Sequence, residues 1–280
     1  MRMTHLVAIL AAVVVGTWNG NWFPSGRAEH RAHPDVEAAT ITAAAKMLSE
    51  GLAAMDPEGT NDVVLVLNEI RGPRVASNLV AQIGRKGLVV ASVSAYRRRD
   101  RFDQQQDVIA TTLPVASKGW SVWKNHKRET PPRGYAVASL VFSPAVTANV
   151  YAVHLKSNYG ATTEELREMN RVKRAHAAEQ LVMQERKTPY VIVAGDFNAD
   201  PWRKEFAKDT LFETFGAAGF QNLMALAPPD GRGTHPHRRY GDSCLDHILC
   251  KGFAVAVPPK TVPNESLSDH LAVFAVIDEK

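Results

Sequence analysis

The sequence predicts an α/β protein in which buried strands alternate with amphipathic helices. Two patterns carry that expectation. Short, continuous aliphatic runs recur at 63–67, 88–93, 135–142, 148–155, 191–194 and 271–277, as in strands covered on both faces. Between them, apolar residues fall at helical spacing, most clearly Ile41, Ala44, Ala45, Leu48 and Leu52, at i, i+3, i+4, i+7 and i+11. With 280 residues and 45% hydrophobic content, the chain can build one large core, and no repeat or low-complexity tract divides it.

Taken in order, the chain opens with an arginine and an apolar run, 6–15. This fits the hydrophobic region of a secretory leader, so residues 1–12 are expected to be a leader, 13–280 the folded domain, and the protein exported, with a cytoplasmic location as the alternative. Cleavage after Gly16 would remove Val13 to Gly16, which also reads as the first core strand running into Thr17-Trp18-Asn19. Cleavage after Ala12 spares that strand but leaves a short apolar region. The run is too short for an ordinary membrane-spanning helix. A Gly/Pro-containing loop at 20–34 precedes the helix carrying Ile41 to Leu52. The strand at 63–67 ends at Asn68-Glu69, Val75, Leu79 and Ile83 mark a second helix, and 88–93 is the next strand.

A basic segment follows, with Arg97, Arg98, Arg99 and Arg101, then a loop at 118–128 in which Trp120 and Trp123 alternate with cations. Those tryptophans suit stacking on bases or a lipid headgroup boundary; the plainer reading is a loop folded onto the core. The runs 135–142 and 148–155 read as a hairpin about Ser143-Pro144, its second strand delivering His154-Leu155-Lys156-Ser157. Thr162-Thr163-Glu164-Glu165 is a capping-box signature for a helix with Leu166, Met169, Ala177 and Leu181 inward. The stretch Val191 to Asn198 is a buried strand stopping at Gly195-Asp196, with Phe197 pointing opposite to Asp196 and Asn198. A helical stretch at 206–215, the loop Thr234-His235-Pro236-His237-Arg238-Arg239, a strand through Leu245-Asp246-His247-Ile248 and a last strand at 271–277 complete the chain.

The net charge is +4 with a pI near 9.1. It is uneven: residues 71–133 hold 13 Lys/Arg against Asp100, Asp103, Asp107 and Glu129, a local +9 that leaves −5 for the rest. That suits a polyanionic substrate, the bland alternative being a solvated basic face. Cys244 and Cys250 on one strand, at roughly 3.3 Å per residue, stand about 20 Å apart and cannot pair. They are expected to be free thiols and give no sign of an oxidising compartment.

Polar groups stand at the ends of the apolar strands: Asn19, Glu69, His154, Asp196 with Asn198, Asp246, and Asp269 with His270. Convergence on one rim would gather four carboxylates and two imidazoles. Such a cleft requires a hard cation, and oxygen-rich donors without cysteine favour Mg²⁺ or Mn²⁺ over Zn²⁺.

The motifs Thr-Trp-Asn at 17–19, Leu-Asn-Glu at 67–69, His-Leu-Lys-Ser at 154–157, Gly-Asp-Phe-Asn at 195–198, Leu-Asp-His-Ile at 245–248 and Ser-Asp-His at 268–270 run in the order found in one family. Over 17–270 the chain resembles the endonuclease/exonuclease/phosphatase superfamily, which includes deoxyribonuclease I, exonuclease III, sphingomyelinases and inositol polyphosphate phosphatases. The resemblance implies a four-layer α/β/β/α sandwich of two packed mixed sheets flanked by helices, and metal-dependent phosphoester hydrolysis. It makes Glu69 the principal metal ligand with Asn19 beside it, and has Asp196 and Asn198 orient the attacking water and a phosphate oxygen. Asp269 would fix the tautomer of His270, His154 would bind phosphate or protonate the leaving oxygen, and Asp246 would orient His154 or a water. Either Asp196 or His270 would be the base.

Departures from the family pattern are Asn68 in place of Gln, which would loosen support for Glu69, and the lack of a Tyr near Gln105-Gln106-Asp107. His154 stands where apurinic endonucleases have Tyr. The expected activity is a phosphodiesterase on DNA, with Arg97, Arg98, Arg99, Trp120 and Trp123 binding the nucleic acid. The alternative is a phosphatase or phospholipase whose tryptophan loop faces a membrane. The intact set of polar positions argues against a catalytically dead binding module.

Overall fold

In the computed structural model the apolar runs become strands of two six-stranded mixed sheets, all of them inner strands except 88–93, which is at an edge. The described residues are 12–26, 32–98, 101–125, 129–238, 241–264 and 266–280. Residues 1–11, most of the expected leader, and Arg99 lie outside them. The elements are β1 (Val13–Phe23), α1 (Pro34–Met55), β2 (Asp62–Ile70), α2 (Pro73–Ile83), β3 (Val89–Val93), β4 (Arg97–Arg98), β5 (Arg101–Phe102), β6 (Gln106–Thr111), β7 (Val115–Val122), β8 (Gly134–Val141) and β9 (Thr147–His154). There follow α3 (Glu164–Gln184), β10 (Val191–Asp196), α4 (Leu211–Ala217), β11 (Gln221–Asn222), β12 (Asp246–Lys251), β13 (Phe253–Val262) and β14 (Ala272–Glu279).

One sheet has the order β13-β14-β1-β2-β6-β3 and the other β11-β12-β10-β9-β8-β7; β4 and β5 form a small ribbon. Parallel pairing joins β1 to β2 and β9 to β10. Along β2, Val64 and Val66 face the other sheet, where they meet small residues such as Ala138, Ala152 and Ala194. Leu65 and Leu67 face α1 and α2. Val191, Val193 and Phe197 face α3 and α4 on the far side. The result is the expected α/β/β/α sandwich, and burial of both sheet faces is why the strands read as continuous apolar runs.

Several local expectations are corrected. The tryptophan-bearing segment is the edge strand β7, antiparallel to β8. Trp123, just past its end, is 3% exposed and packs on Tyr135 at 5.1 Å, so it is a core residue and not a substrate contact. Leu166 and Met169 are exposed, and α3 instead buries Asn170, Arg174, Ala177, Ala178 and Leu181. Its first turns dock through polar groups: the Arg174 guanidinium is fully buried, bidentate on Asp209 at 2.8 and 2.9 Å, and donates to Lys156 O at 2.7 Å. The N-cap is Thr163, accepting from Leu166 N. Only the second half of 206–215 is helical, as α4, after a 3₁₀ turn at Lys204–Phe206. The strand β13 was not foreseen because Pro258 and Pro259 interrupt its pattern. It is an edge strand whose register slips at those residues, which is where a sheet tolerates proline.

Phe274 on β14 is fully buried between two glycines, Gly16 of β1 and Gly51 of α1. A Cβ at Gly16 would stand 2.6 Å from Phe274 Cε1, and one at Gly51 would overlap the opposite ring edge. Gly51→Ala is therefore expected to destabilise by about 1–3 kcal/mol through overpacking, although alanine is favoured over glycine in a helix by about 1 kcal/mol. Urea denaturation checks the sign; a more stable variant would show that the ring has room to move.

Candidate active site

Polar residues on five strands meet at one rim, and both sheets contribute. From the first sheet come Asn19 on β1 and Glu69 near the end of β2; from the second come His154 ending β9, Asp196 ending β10 and Asp246 opening β12. Hydrogen bonds stitch the sheets here. Asn19 Nδ2 donates to Asp196 Oδ2 at 2.9 Å and reaches Glu69 Oε1 at 3.5 Å, while Asp196 N donates to Asn68 Oδ1 at 3.0 Å. Gly195 makes the approach possible: its φ is +137°, and a Cβ would strike the Val153 carbonyl.

Asp196 holds the centre. Its Oδ1 accepts from Asn198 N at 2.8 Å and its Oδ2 from Asn198 Nδ2 at 2.9 Å. Asn198 sits in the left-handed region, at φ +51°, which asparagine tolerates better than most residues. Phe197 points away into the α3/α4 core, as the strand alternation requires. Glu69 is also left-handed, at φ +58°. This aims its carboxylate at the rim, where Trp22 N donates to Oε2 at 3.0 Å. His154 Nε2 lies 3.6 Å from Glu69 Oε1 and 3.5 Å from Asp196 Oδ2, and its buried Nδ1 has no hydrogen-bond partner among the described residues.

The role expected of Asp269 belongs to another residue. His270 Nδ1 contacts Asp246 Oδ2 at 2.7 Å, so Asp246 is the group that orients this imidazole. Asp269 precedes β14 in irregular backbone, where neighbouring side chains need not share a face. It points to the cleft mouth, half-exposed, 3.6 Å from His235 Nε2. His270 Nε2 lies 3.9 Å from Asp196 Oδ2.

Burial sets the electrostatics. It pushes the Asp196 carboxyl up to about 7, with the Asp246 charge adding to it. Burial would lower His270, but the carboxylates of Asp246, Asp196 and Asp269 outweigh it and raise the imidazole to about 10. His154 is held well below its ordinary value by burial and by the charges of Arg133, His270 and Lys156, so it is neutral. Burial would also raise Asp269; hydrogen bonding to His235 and the His270 and His235 charges hold it below the usual carboxylate range.

Asn68, whose shorter side chain is expected to loosen support for Glu69, makes its hydrogen bonds elsewhere. It ties Asp196 N to Asp107, donating to Asp107 Oδ1 at 2.7 Å, and Tyr96 OH donates to Asp107 Oδ2 at 2.8 Å. Tyr96 lines the cleft, so a phenol absent from 105–107 arrives from the segment after β3. Trp22 and Arg133 also line it and went unnoticed in the sequence. Arg133 follows Pro131-Pro132 at φ +61°, donates to Gln105 Oε1 at 2.9 Å and reaches His154 O at 3.5 Å. Only its place in the basic segment signalled it.

The cleft has a volume of about 1580 Å³ and is lined by Arg97, Arg133, Lys156, Arg167, Arg203, Lys204 and Lys208 among others. Of the expected nucleic-acid contacts, Arg97 lies in the cleft. Trp120 stands beside it, 43% exposed and edge-on to Tyr96 at 6.0 Å. Only the backbone of Arg98 is described, paired with Arg101 in the ribbon.

Residues 16–270 match the profile of the Endonuclease/Exonuclease/phosphatase family. The chain belongs to that family. Among solved structures, an endonuclease/exonuclease/phosphatase from Beutenbergia cavernae superposes with a TM-score of 0.65 at 17% identity, covering 96% of this chain and 72% of that one. D. rerio TDP2 complexed with single strand DNA product gives 0.62 at 13% identity, covering 95% and 99%. Sphingomyelinase C from Streptomyces griseocarneus gives 0.58 at 16% identity, covering 95% and 99%. These likenesses are of fold. No curated protein matches the sequence.

The donor set fits a divalent metal of the kind this family uses. Glu69, Asp196 and Asp246 are buried, and among the described residues none is ion-paired to a Lys or Arg; the basic groups beside them are the imidazoles of His154, which is neutral, and His270. Buried carboxylates in that state call for a cation, and oxygen donors suit a hard one.

Proposed function

We propose that the chain is a Mg²⁺- or Mn²⁺-dependent phosphodiesterase acting on DNA. The observation that carries this reading is the convergence, from both sheets, of Glu69, His154, Asp196, Asn198 and the Asp246–His270 pair at the floor of a cation-lined cleft. Glu69 with Asn19 would hold the metal, which neutralises charge on the phosphate oxygens when bound. The chain's own groups do the rest. Asp196, raised toward neutrality and fixed by Asn19 and Asn198, accepts the proton of the attacking water. His270, kept cationic by Asp246, stabilises charge on the phosphate. Neutral His154 donates a hydrogen bond from Nε2, and Arg133, which reaches the His154 carbonyl, places its charge beside it. Asp246 is a positioning residue.

For the substrate, the cations along the cleft suit a polyanion, and D. rerio TDP2, which shares the fold, is known with a single strand DNA product. A phosphatase or phospholipase is the second reading. It draws on sphingomyelinase C having the same fold and on exposed apolar side chains at the cleft, Tyr159 at 88% and Val122 at 58%.

The test is turnover of supercoiled plasmid, sphingomyelin vesicles and a phosphomonoester, each with Mg²⁺ and with excess EDTA. Plasmid cleavage abolished by EDTA and restored by Mg²⁺ is expected, with the other two substrates turned over far more slowly. Full turnover in EDTA would sink the metal assignment, and faster lipid hydrolysis would put the second reading first.

A further inference from the structure

The loop carrying His235 and the displaced Asp269 take no part in that chemistry, yet they form a second cluster at the cleft mouth. His235 Nε2 is 3.6 Å from Asp269 Oδ2. One ligand atom from each of His235, Asp269 and His270 lies within 4.8 Å of the others. The His235 and His270 rings meet edge-on with centroids 4.8 Å apart, and His237 stacks beyond His235 at 6.5 Å. All four side chains line the cleft, so the cluster is open to solvent. Its two segments are clamped by backbone: His235 N donates to Ser243 O at 2.8 Å, Ser243 N to His235 O at 3.1 Å, and Leu271 N to Thr234 O at 2.7 Å.

We propose that His235, Asp269 and His270 form a binding site for a borderline divalent cation of the zinc type, distinct from the hard-ion position at Glu69, and that its occupation inhibits the enzyme. Two imidazoles and one carboxylate are a donor set suited to Zn²⁺ and poor for Mg²⁺. With bonds of about 2.0–2.1 Å, tetrahedral ligand atoms stand about 3.3–3.5 Å apart. The His235–Asp269 separation already approaches that, and since all three ligand atoms lie within 4.8 Å of one another, side-chain rotation has to close at most about 1.5 Å. The Asp246 contact at His270 Nδ1 is the carboxylate–imidazole arrangement that fixes the ring of a metal-binding histidine, and it leaves Nε2 as the ligand. Binding there displaces the Nε2 proton and takes His270 away from the phosphate. Cys244 and Cys250 are buried and do not compete. Cation binding stands independently of the hydrolase reading, whereas inhibition rests on it.

The experiment uses the full chain in excess Mg²⁺, titrated with Co²⁺ as a visible probe and then with Zn²⁺ against a chromogenic chelator. One equivalent of Co²⁺ with visible d–d absorption, displaced by Zn²⁺, is expected. His235→Asn should weaken Zn²⁺ binding on the order of 10- to 100-fold, the range seen even for residues that only support a metal ligand. Its circular dichroism, Tm and Mg²⁺-supported turnover should match wild type, and the half-inhibiting Zn²⁺ concentration should rise by the same factor. Equal Co²⁺ spectra and equal Zn²⁺ affinity in the two proteins would overturn the site, the His235–Asp269 contact then being a hydrogen-bonded pair only. A shifted affinity with unshifted inhibition would overturn the inhibitory role. If no phosphoester is hydrolysed, the Co²⁺ titration still decides the site on its own.

Discussion

Glu69→Ala is expected to lower kcat/KM by at least about 10³-fold while leaving the fold intact. On the proposed reading Glu69 holds the metal, and a metal's charge stabilisation of several kcal/mol corresponds to about three powers of ten or more in rate. The residue lies on the rim, so its loss leaves no core cavity. It removes one of three buried rim carboxylates, Glu69, Asp196 and Asp246, that among the described residues form no ion pair with Lys or Arg. The backbone supplies a sharper control. At φ +58° Glu69 occupies a conformation that costs a non-glycine residue of order 1–3 kcal/mol, and glycine relieves that cost. Glu69→Gly should therefore be at least as stable as wild type without metal, and equally inactive. Thermal denaturation with and without Mg²⁺ adds a second readout. Wild type should gain about 2.7 kcal/mol at a metal concentration of 100 Kd, and both variants should lose that gain. An active Glu69→Gly enzyme, or an undiminished Mg²⁺ shift, would place the metal elsewhere.

The rim residues were legible in the sequence because strands have a two-residue period and hydrophobic strands announce their polar ends. Asp196, Phe197 and Asn198 could be assigned to opposite faces from spacing alone, and the structure agrees. That logic fails where the backbone is irregular. Asp269 and His270 are neighbours in sequence, but the loop before β14 turns one to the mouth and the other to the floor. Hence Asp246, which is 24 residues from His270 in the chain, takes the orienting position. Trp123 misled because its cationic neighbours suggest an exposed loop, whereas the chain leaves the sheet edge at Val122 and turns the indole inward onto Tyr135. Leu166 and Met169 fit a helical stripe, but the first turns of α3 are anchored by the buried Arg174–Asp209 pair, an interaction periodicity does not reveal. Arg133 and Tyr96 reach the cleft from segments that have no motif.

The Asp246–His270 pair supplies the other large effect. Asp246→Asn should lower kcat about 10²- to 10⁴-fold, the range for a positioned acid or base, and His270→Ala should do the same. Because one acts through the other, the double variant should be hardly worse than either single one. Asp269→Asn, facing His235, should cost less than about tenfold, the opposite of what a His-orienting Asp269 would give. The pH dependence separates this coupling from a general structural defect. In wild type His270 is raised to about 10, because the carboxylates, Asp246 foremost, outweigh burial. Its charged form is therefore present at neutral pH, and activity depending on that charge should fall as pH rises through about 10. The stability linkage has the same sign: the pair's contribution is complete below the unfolded histidine value of about 6.5 and is lost as pH rises through the folded value. With asparagine at 246 the largest raising charge is gone and burial pulls the imidazole down, so the alkaline limb of kcat should move toward neutrality and the stability gain at low pH should shrink with it. An alkaline limb unmoved in Asp246→Asn, or losses that multiply in the double variant, would mean that the two residues act independently and that the 2.7 Å contact is structural alone.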